Sequence, residues 1–195
     1  MTGGRLIAVV GPSGVGKDSV MAGLTAALPG LHRVRRVITR APDLGGEDHE
    51  AVSVAEFEAR AASGAFAVHW QAHGLRYGIP VAVTHRLASG TDCLVNFSRR
   101  ALGQAVAVFP DVVVLSITAR PETLARRLAT RGREDPAEIA SRLAQAETPL
   151  PAGLEVIALS NDGPLTETIA RATALLAPSD GPTGLPAALP RETTS

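Results

Sequence analysis

The chain has 195 residues with 19 Lys+Arg against 19 Asp+Glu, so its net charge is zero and no global field draws it to nucleic acid or an anionic membrane. A composition 45% hydrophobic and 19% charged, at the length of one domain, can bury a real core and excludes disorder throughout. With only 3% aromatic residues, stacking platforms for single-stranded nucleic acid are scarce, and every basic residue other than Lys17 is arginine.

Leu6–Val10 is an unbroken apolar run that reads as a first strand. It is too short for the apolar region of a signal peptide or for a membrane span of about 20 residues, and a soluble cytoplasmic protein is expected. After a glycine-rich turn, Ser19–Leu28 has helical spacing and stops at Pro29-Gly30. Val34–Ile38 reads as the next strand. From Arg40 to Leu87 the rhythm breaks: a short helix (Val54–Ala62), two weak strands (Ala65–Trp70 and Leu75–Tyr77) and a further helix (Pro80–Ala88) suggest an insertion on the sheet. Cys93–Phe97 follows as a strand, and its lone cysteine excludes an intramolecular disulfide and a thiolate zinc cluster. Inside an apolar strand, Cys93 reads as a small core residue.

The second half alternates regularly. A helix at Ala101–Val108 precedes the β-branched strand Val112–Thr118, expected at the sheet centre, then helices Pro121–Arg131 and Pro136–Glu147, strand Glu155–Leu159 and helix Leu165–Leu176. Pro121 and Pro136 suit a first helical turn, where a missing N–H costs nothing. Such alternation predicts an α/β fold, three layers with a mostly parallel sheet between helices. The expected organisation is one domain over 1–177, with core 1–35, 91–125 and 143–177, an insertion 36–90 and a separate segment 126–142. Prolines at 178, 182, 186 and 190 predict a disordered tail over 178–195.

Gly11-Pro12-Ser13-Gly14-Val15-Gly16-Lys17 meets the phosphate-loop pattern between a strand and a helix. The glycines let backbone N–H groups converge on phosphate oxygens, the helix N-terminus adds positive potential, and Lys17 reaches the β- and γ-phosphates. The pattern predicts ATP as co-substrate. Where the pattern places a Ser or Thr ligand for magnesium (Mg²⁺), this chain has Asp18, followed by Ser19; either is a candidate ligand, and Asp18 also suits a helix N-terminus.

Arg126, Arg127, Arg131, Arg133 and Arg142 cluster where two predicted helices meet at a short Gly-containing turn. Arg127 and Arg131 are four apart, on one face, and Arg142 projects from the next helix. With a phosphate loop present, Arg127, Arg131 and Arg142 are predicted to close over a transferring phosphoryl group and neutralise its oxygens. The alternative is a solvated face pairing with Glu134, Asp135 and Glu138.

Over about residues 5–177 the chain resembles the guanylate kinase family of nucleoside-monophosphate kinases. The likeness lies in the phosphate loop, Ile-Thr-Arg-Ala-Pro at 38–42, Gly-Glu-Asp-His at 46–49, Gly-Leu-Arg-Tyr-Gly at 74–78, and the segment from Arg127 to Arg142. It implies a P-loop NTPase fold with core, acceptor insertion and lid, and it assigns Arg40 and Tyr77 to an acceptor phosphate and Arg131 and Arg142 to the lid. The departures fall where that family reads its base. The base-binding glutamate aligns with Val68, an acidic pair on the next core strand becomes Asn96 and Ser98, the usual tyrosine becomes His49, and a second phosphate-binding arginine becomes Asp43. Arg36 stands in place of a small hydroxyl residue.

These departures, with Gly-Lys-Asp-Ser at 16–19, Leu-Val-Asn-Phe-Ser-Arg at 94–99 and Asn161-Asp162-Gly163, are similar to a branch acting on phosphorylated sugars. They imply transfer from ATP to a small acceptor bearing two phosphates and no base. The implied acceptor residues are Arg36, Arg40 and Tyr77 for phosphates, His49, Asn96 and Ser98 for sugar hydroxyls, and Arg99 and Arg76 more peripherally. A nucleoside-monophosphate kinase and a catalytically inactive interaction module are the alternatives; a monomer or homodimer is expected. His69 and His73 are four apart, but a metal pair at that spacing needs a helix and the segment reads as strand.

Overall fold

The computed structural model describes residues 3–41, 47–131 and 150–177, the side chains of Thr130 and Arg131 excepted. Its centre follows from the run Leu6–Val10 (β1): a strand apolar at every position must be covered on both faces, and all five residues are buried. β1 is flanked by Cys93–Asn96 (β7) and Val112–Thr118 (β8), with Leu6 level with both Cys93 and Val112. His32–Arg33 (β2) and Glu155–Ser160 (β9) complete a fully parallel five-stranded sheet of order β2-β7-β1-β8-β9. Alternation sorts its side chains into two cores. Leu6, Ala8, Val10, Val95 and Val114 face the cluster that holds Trp70, Phe97 and Leu102, whereas Ile7, Val9, Leu94, Val113 and Leu115 face Met21, Leu24 and Ala172.

The second cluster is covered by Lys17–Ala27 (α1) and Leu165–Leu176 (α6), which pack so closely that a Cβ on Gly23 would lie 2.2 Å from Ile169 Cδ1. The first is covered by Leu102–Val108 (α4), which a short 3₁₀ turn at Arg99–Ala101 precedes, and by the insertion. Pro121–Arg131 (α5) follows β8 with the predicted bounds. The predicted helix Pro136–Glu147, most of the lid and the tail 178–195 lie outside the described residues. Among those described, no helix is long and apolar enough to cross a membrane.

The single strand expected at Val34–Ile38 is two. Val34 still donates to Leu94 O at the edge of the parallel sheet, but the exposed Arg35 turns the chain and Arg36–Ile38 (β3) joins a second sheet. That sheet joins β3 to His49–Ala51 (β4), Phe66–Ala72 (β5) and Leu75–Pro80 (β6) in the order β4-β3-β6-β5, with β3 parallel to β4 and antiparallel to β6. β4 was not foreseen. β5 and β6 run further than the predicted weak strands, because they close a hairpin through His73-Gly74. Both turn residues have positive φ, 52° and 72°, which matches the twist of the flanking strands. Val54–Ala62 (α2) has the predicted bounds, and Ser53 Oγ accepts from Glu56 N at 3.1 Å as its N-cap. Ala82–Ala88 (α3) starts two residues later than predicted.

Candidate active site

The carboxyl ends of β1, β7, β8 and β9 lie side by side, the edge at which open parallel sheets bind ligands. The phosphate loop leaves β1 there. Gly14 and Gly16 have φ of 81° and 94°, a region that side-chain-bearing residues adopt at a cost, and Gly16 serves as the left-handed N-cap of α1. The helix therefore begins at Lys17, two residues before the periodicity suggests, and its first-turn N–H groups open onto the loop. Lys17 Nζ reaches back over the loop, donating to Gly11 O at 2.8 Å and Pro12 O at 3.1 Å.

Arg127 is placed differently from its predicted role. Its guanidinium donates to Val15 O at 3.2 Å and to Asn161 O at 2.8 Å, so both contacts are backbone carbonyls behind the loop. Asn161 Nδ2 donates to the same Val15 O at 2.7 Å. Beside these groups a cleft of about 430 Å³ is lined by Gly14, Gly16, Ser19, Arg126, Arg127, Asn161 and Leu165. Asp162, next in the β9–α6 turn, accepts from Arg120 N and Ser160 Oγ, and the Ser160 hydroxyl foremost lowers its pKa to about 2. Arg131 lies in α5 with its side chain outside the described set, and Arg142 lies wholly outside it.

Asp18 Oδ1 is buried with no hydrogen-bond partner among the described residues, and Arg33 Nη2 lies 3.7 Å from it. A carboxylate oxygen left unsatisfied beside a phosphate loop fits a hard divalent cation. Ser19 is exposed on the cleft wall.

The acceptor side is built by the second sheet. The register sets Arg36 opposite His49 and Ile38 opposite Tyr77, and Trp70 pairs with Tyr77 from β5. Trp70 stacks on Tyr77 at 5.4 Å and on Phe97 at 5.2 Å, tying the second sheet to the core. The Arg36 guanidinium lies 5.0 Å from the Tyr77 ring centroid and 5.7 Å from that of Trp70. Arg36 is not an uncompensated cation. Glu47 accepts from its Nε at 2.7 Å and from Nη2, and Asn96 Nδ2 donates to Glu47 Oε2 at 2.8 Å. The Arg36 and Glu47 side chains are 9% and 7% exposed.

His49 is buried, with Nδ1 2.8 Å from Glu47 O and Nε2 3.2 Å from Arg40 O. Arg40 Nη2 lies 3.3 Å from His49 Nδ1, while Arg40 Nε is buried with no hydrogen-bond partner among the described residues. The structure thus brings Arg36, Arg40, His49, Tyr77 and Asn96 together. Ser98 and Arg99 follow Asn96 beyond the end of β7. Arg76 is turned outward onto Glu58. Val68 is buried in the apolar core, an environment that offers no acceptor for a base. His69 is exposed, His73 sits in the hairpin turn, and no group of three metal-ligating side chains occurs among the described residues.

A ribose 1,5-bisphosphate phosphokinase of Ruegeria sp. (strain TM1040) is 56% identical over 174 residues, 89% of this chain and 92% of that protein. The chain belongs to the ribose 1,5-bisphosphate phosphokinase family. The same name is borne by a protein of Agrobacterium fabrum, 46% identical over 165 residues, 83% of this chain and 90% of that one. No family model matches the chain. Among solved structures, guanylate kinase from Anaplasma phagocytophilum superposes with a TM-score of 0.67 at 21% identity, over 90% of this chain and 86% of that one. The fold is that of P-loop kinases, as the phosphate loop and the family resemblance imply.

Within this member of the family, Glu47 lies in the segment 46–49 that carries the likeness, but no spacing rule pairs it with Arg36, 11 residues away, or with Asn96, 49 away. Asn161 stands in a segment noted for its likeness, but its hold on Val15 spans 146 residues and no spacing rule reaches it.

Proposed function

We propose that the protein transfers the γ-phosphate of ATP to the 1-phosphate of ribose 1,5-bisphosphate, giving 5-phospho-α-D-ribose 1-diphosphate and ADP. The observation that carries this reading is the relative named for that activity, 56% identical across nearly its whole length. The acceptor side supports it. An apolar Val68 replaces a base-reading carboxylate, and Arg40 carries a buried donor available to an anion.

An acceptor phosphate oxygen is already anionic, so no base has to create the nucleophile; alignment and charge compensation dominate. The loop amides from Gly11 to Lys17, with Pro12, Ser13 and Val15 forming its wall, cradle the β-phosphate, and Lys17 neutralises charge between β and γ. Arg40 and Tyr77 hold an acceptor phosphate, with Arg36 fixed beside them by Glu47. His49, Asn96 and Ser98 take ribose hydroxyls, and Arg99 borders the second phosphate. Arg131 and Arg142 compensate the transferring group from the lid. Asp18, with Ser19 as the neighbouring donor, would hold magnesium, which would supply charge neutralisation on the donor phosphates. The enzyme is read as cytoplasmic, a monomer or homodimer, with soluble substrates and no nucleic-acid partner.

The test is a steady-state rate panel with ATP and purified protein, comparing ribose 1,5-bisphosphate with GMP, AMP and ribose 5-phosphate. Phosphoribosyl diphosphate should form with a kcat/KM at least a hundredfold above phosphorylation of any nucleotide. Faster turnover of GMP would overturn the proposal in favour of a nucleoside-monophosphate kinase.

A further inference from the structure

The carbonyl of Val15 points away from the phosphate side of its loop and into a buried knot of donors. It accepts from Asn161 Nδ2 at 2.7 Å and from Arg127 Nη1 at 3.2 Å. The amide of Asn161 is itself oriented: its Oδ1 accepts from Thr168 Oγ1 at 3.0 Å, which turns Nδ2 toward Val15. Asn161 N donates to Thr118 O at 2.8 Å, and Asn161 O accepts from Arg127 Nη2 at 2.8 Å, so the backbone that carries this amide is held on both sides. Asn161 and Thr168 are each 3% exposed and Val15 is fully buried.

Peptide geometry carries the consequence. No cis peptide bond occurs among the described residues, and in a trans peptide the N–H points opposite to the C=O. Fixing Val15 C=O against Asn161 and Arg127 therefore fixes the Gly16 N–H toward the concave side, where phosphate oxygens are bound. The fit at this peptide is tight, since a Cβ on Gly16 would lie 2.7 Å from Asn161 Nδ2. A glycine-rich loop has little stiffness of its own, and a peptide flip would replace a donor with a carbonyl in the anion site.

We infer that Asn161, oriented by Thr168 and assisted by Arg127, is a positioning residue that sets the Val15–Gly16 peptide of the phosphate loop for binding polyphosphate. Arg127 is assigned to the rear of the loop, in place of the transferring group to which its helix face alone pointed. The inference rests on the loop's binding of a nucleotide polyphosphate and is independent of the acceptor's identity.

The test is calorimetric titration of the full chain with inorganic tripolyphosphate plus magnesium and, separately, with AMP, in wild type, Asn161→Ala and Thr168→Val. Thr168 does not line the cleft, and its hydroxyl is shared between Asn161 Oδ1 at 3.0 Å and the Ser160 carbonyl at 3.3 Å, so its route to the loop runs through Asn161. Tripolyphosphate affinity should fall about tenfold in Asn161→Ala and about threefold in Thr168→Val, as for loss of a buried hydrogen bond and of its orienting partner, with AMP affinity within twofold of wild type. Unchanged tripolyphosphate affinity in either variant overturns the inference. So does an equal fall for AMP, which would assign Asn161 to the nucleoside. Should Asn161→Ala not fold, the nearly isosteric Thr168→Val decides alone. Failure to use ribose 1,5-bisphosphate would leave these affinities untouched, which separates the two proposals.

Discussion

Glu47→Gln removes one charge from the acceptor side with almost no change of shape. Wild-type Glu47 receives three hydrogen bonds, from Arg36 Nε at 2.7 Å, from Arg36 Nη2, and from Asn96 Nδ2 at 2.8 Å. With both partners under 10% exposed, water cannot replace what is lost. A glutamine accepts at one position only, so its own NH₂ faces donors and Arg36 becomes a buried, uncompensated cation. Breaking a buried pair from one side costs about 3–5 kcal/mol, a large part of the roughly 5–15 kcal/mol that holds a domain together. For a domain of this size the melting temperature should drop by about 10 °C. Urea unfolding of both proteins should show a lower midpoint at unchanged slope. The double variant Arg36→Met/Glu47→Leu, which removes the whole pair, should recover most of the loss. A destabilisation under about 1 kcal/mol for Glu47→Gln, or a double variant no better than the single, would refute the placement of Arg36 and Glu47 as a desolvated pair.

Three further outcomes follow from the same geometry. Lys17→Ala should lower kcat by about 10²–10³ with the melting temperature held, because a preorganised charge contact is lost and the packing is not; a Lys17→Ala enzyme near wild-type rate would remove Lys17 from catalysis. Arg40→Ala should raise the acceptor KM at least tenfold and leave the ATP KM unchanged, whereas equal effects on both substrates would detach Arg40 from the acceptor. Burial pushes the Cys93 thiol up to about 11 from an ordinary 9, so Ellman's reagent at pH 8 should label it only as fast as the chain unfolds. Below about pH 9 stability is untouched by this thiol; from 9 toward 11 it should fall, because the unfolded chain releases a proton that the fold retains. Labelling of native protein at the rate of a free thiol would contradict the burial.

What was legible in the chain was what spacing encodes. The phosphate loop is a contiguous pattern, and Val112–Thr118 and Pro121–Arg131 have their predicted bounds because periodicity and a helix-starting proline are local signals. The break between Val34 and Arg36 was hidden, since no Gly or Pro marks it and only tertiary pairing says that the two sides belong to different sheets. In the same way, helical spacing says which face Arg127 occupies, but not that the face meets two backbone carbonyls.

The balance of charges has a structural reading that the totals conceal. Arginine serves for all but one cation, and a cluster of guanidinium groups invites the reading that each awaits a phosphate. Yet Arg5, Arg36, Arg60 and Arg76 are spent on carboxylates, and Arg127 on carbonyls. A planar fork of five donors suits such fixed bidentate duties, and it holds its charge when buried. Several of the balanced charges are therefore spent on one another within the folded chain. Cationic density alone is a poor guide to the phosphate sites of this chain; an unsatisfied buried donor such as Arg40 Nε is the better one. Lysine is the exception because its task differs: at position 17 a compact ammonium on a flexible stem can leave the Gly11 and Pro12 carbonyls for a phosphate oxygen, an exchange that a rigid guanidinium fits poorly.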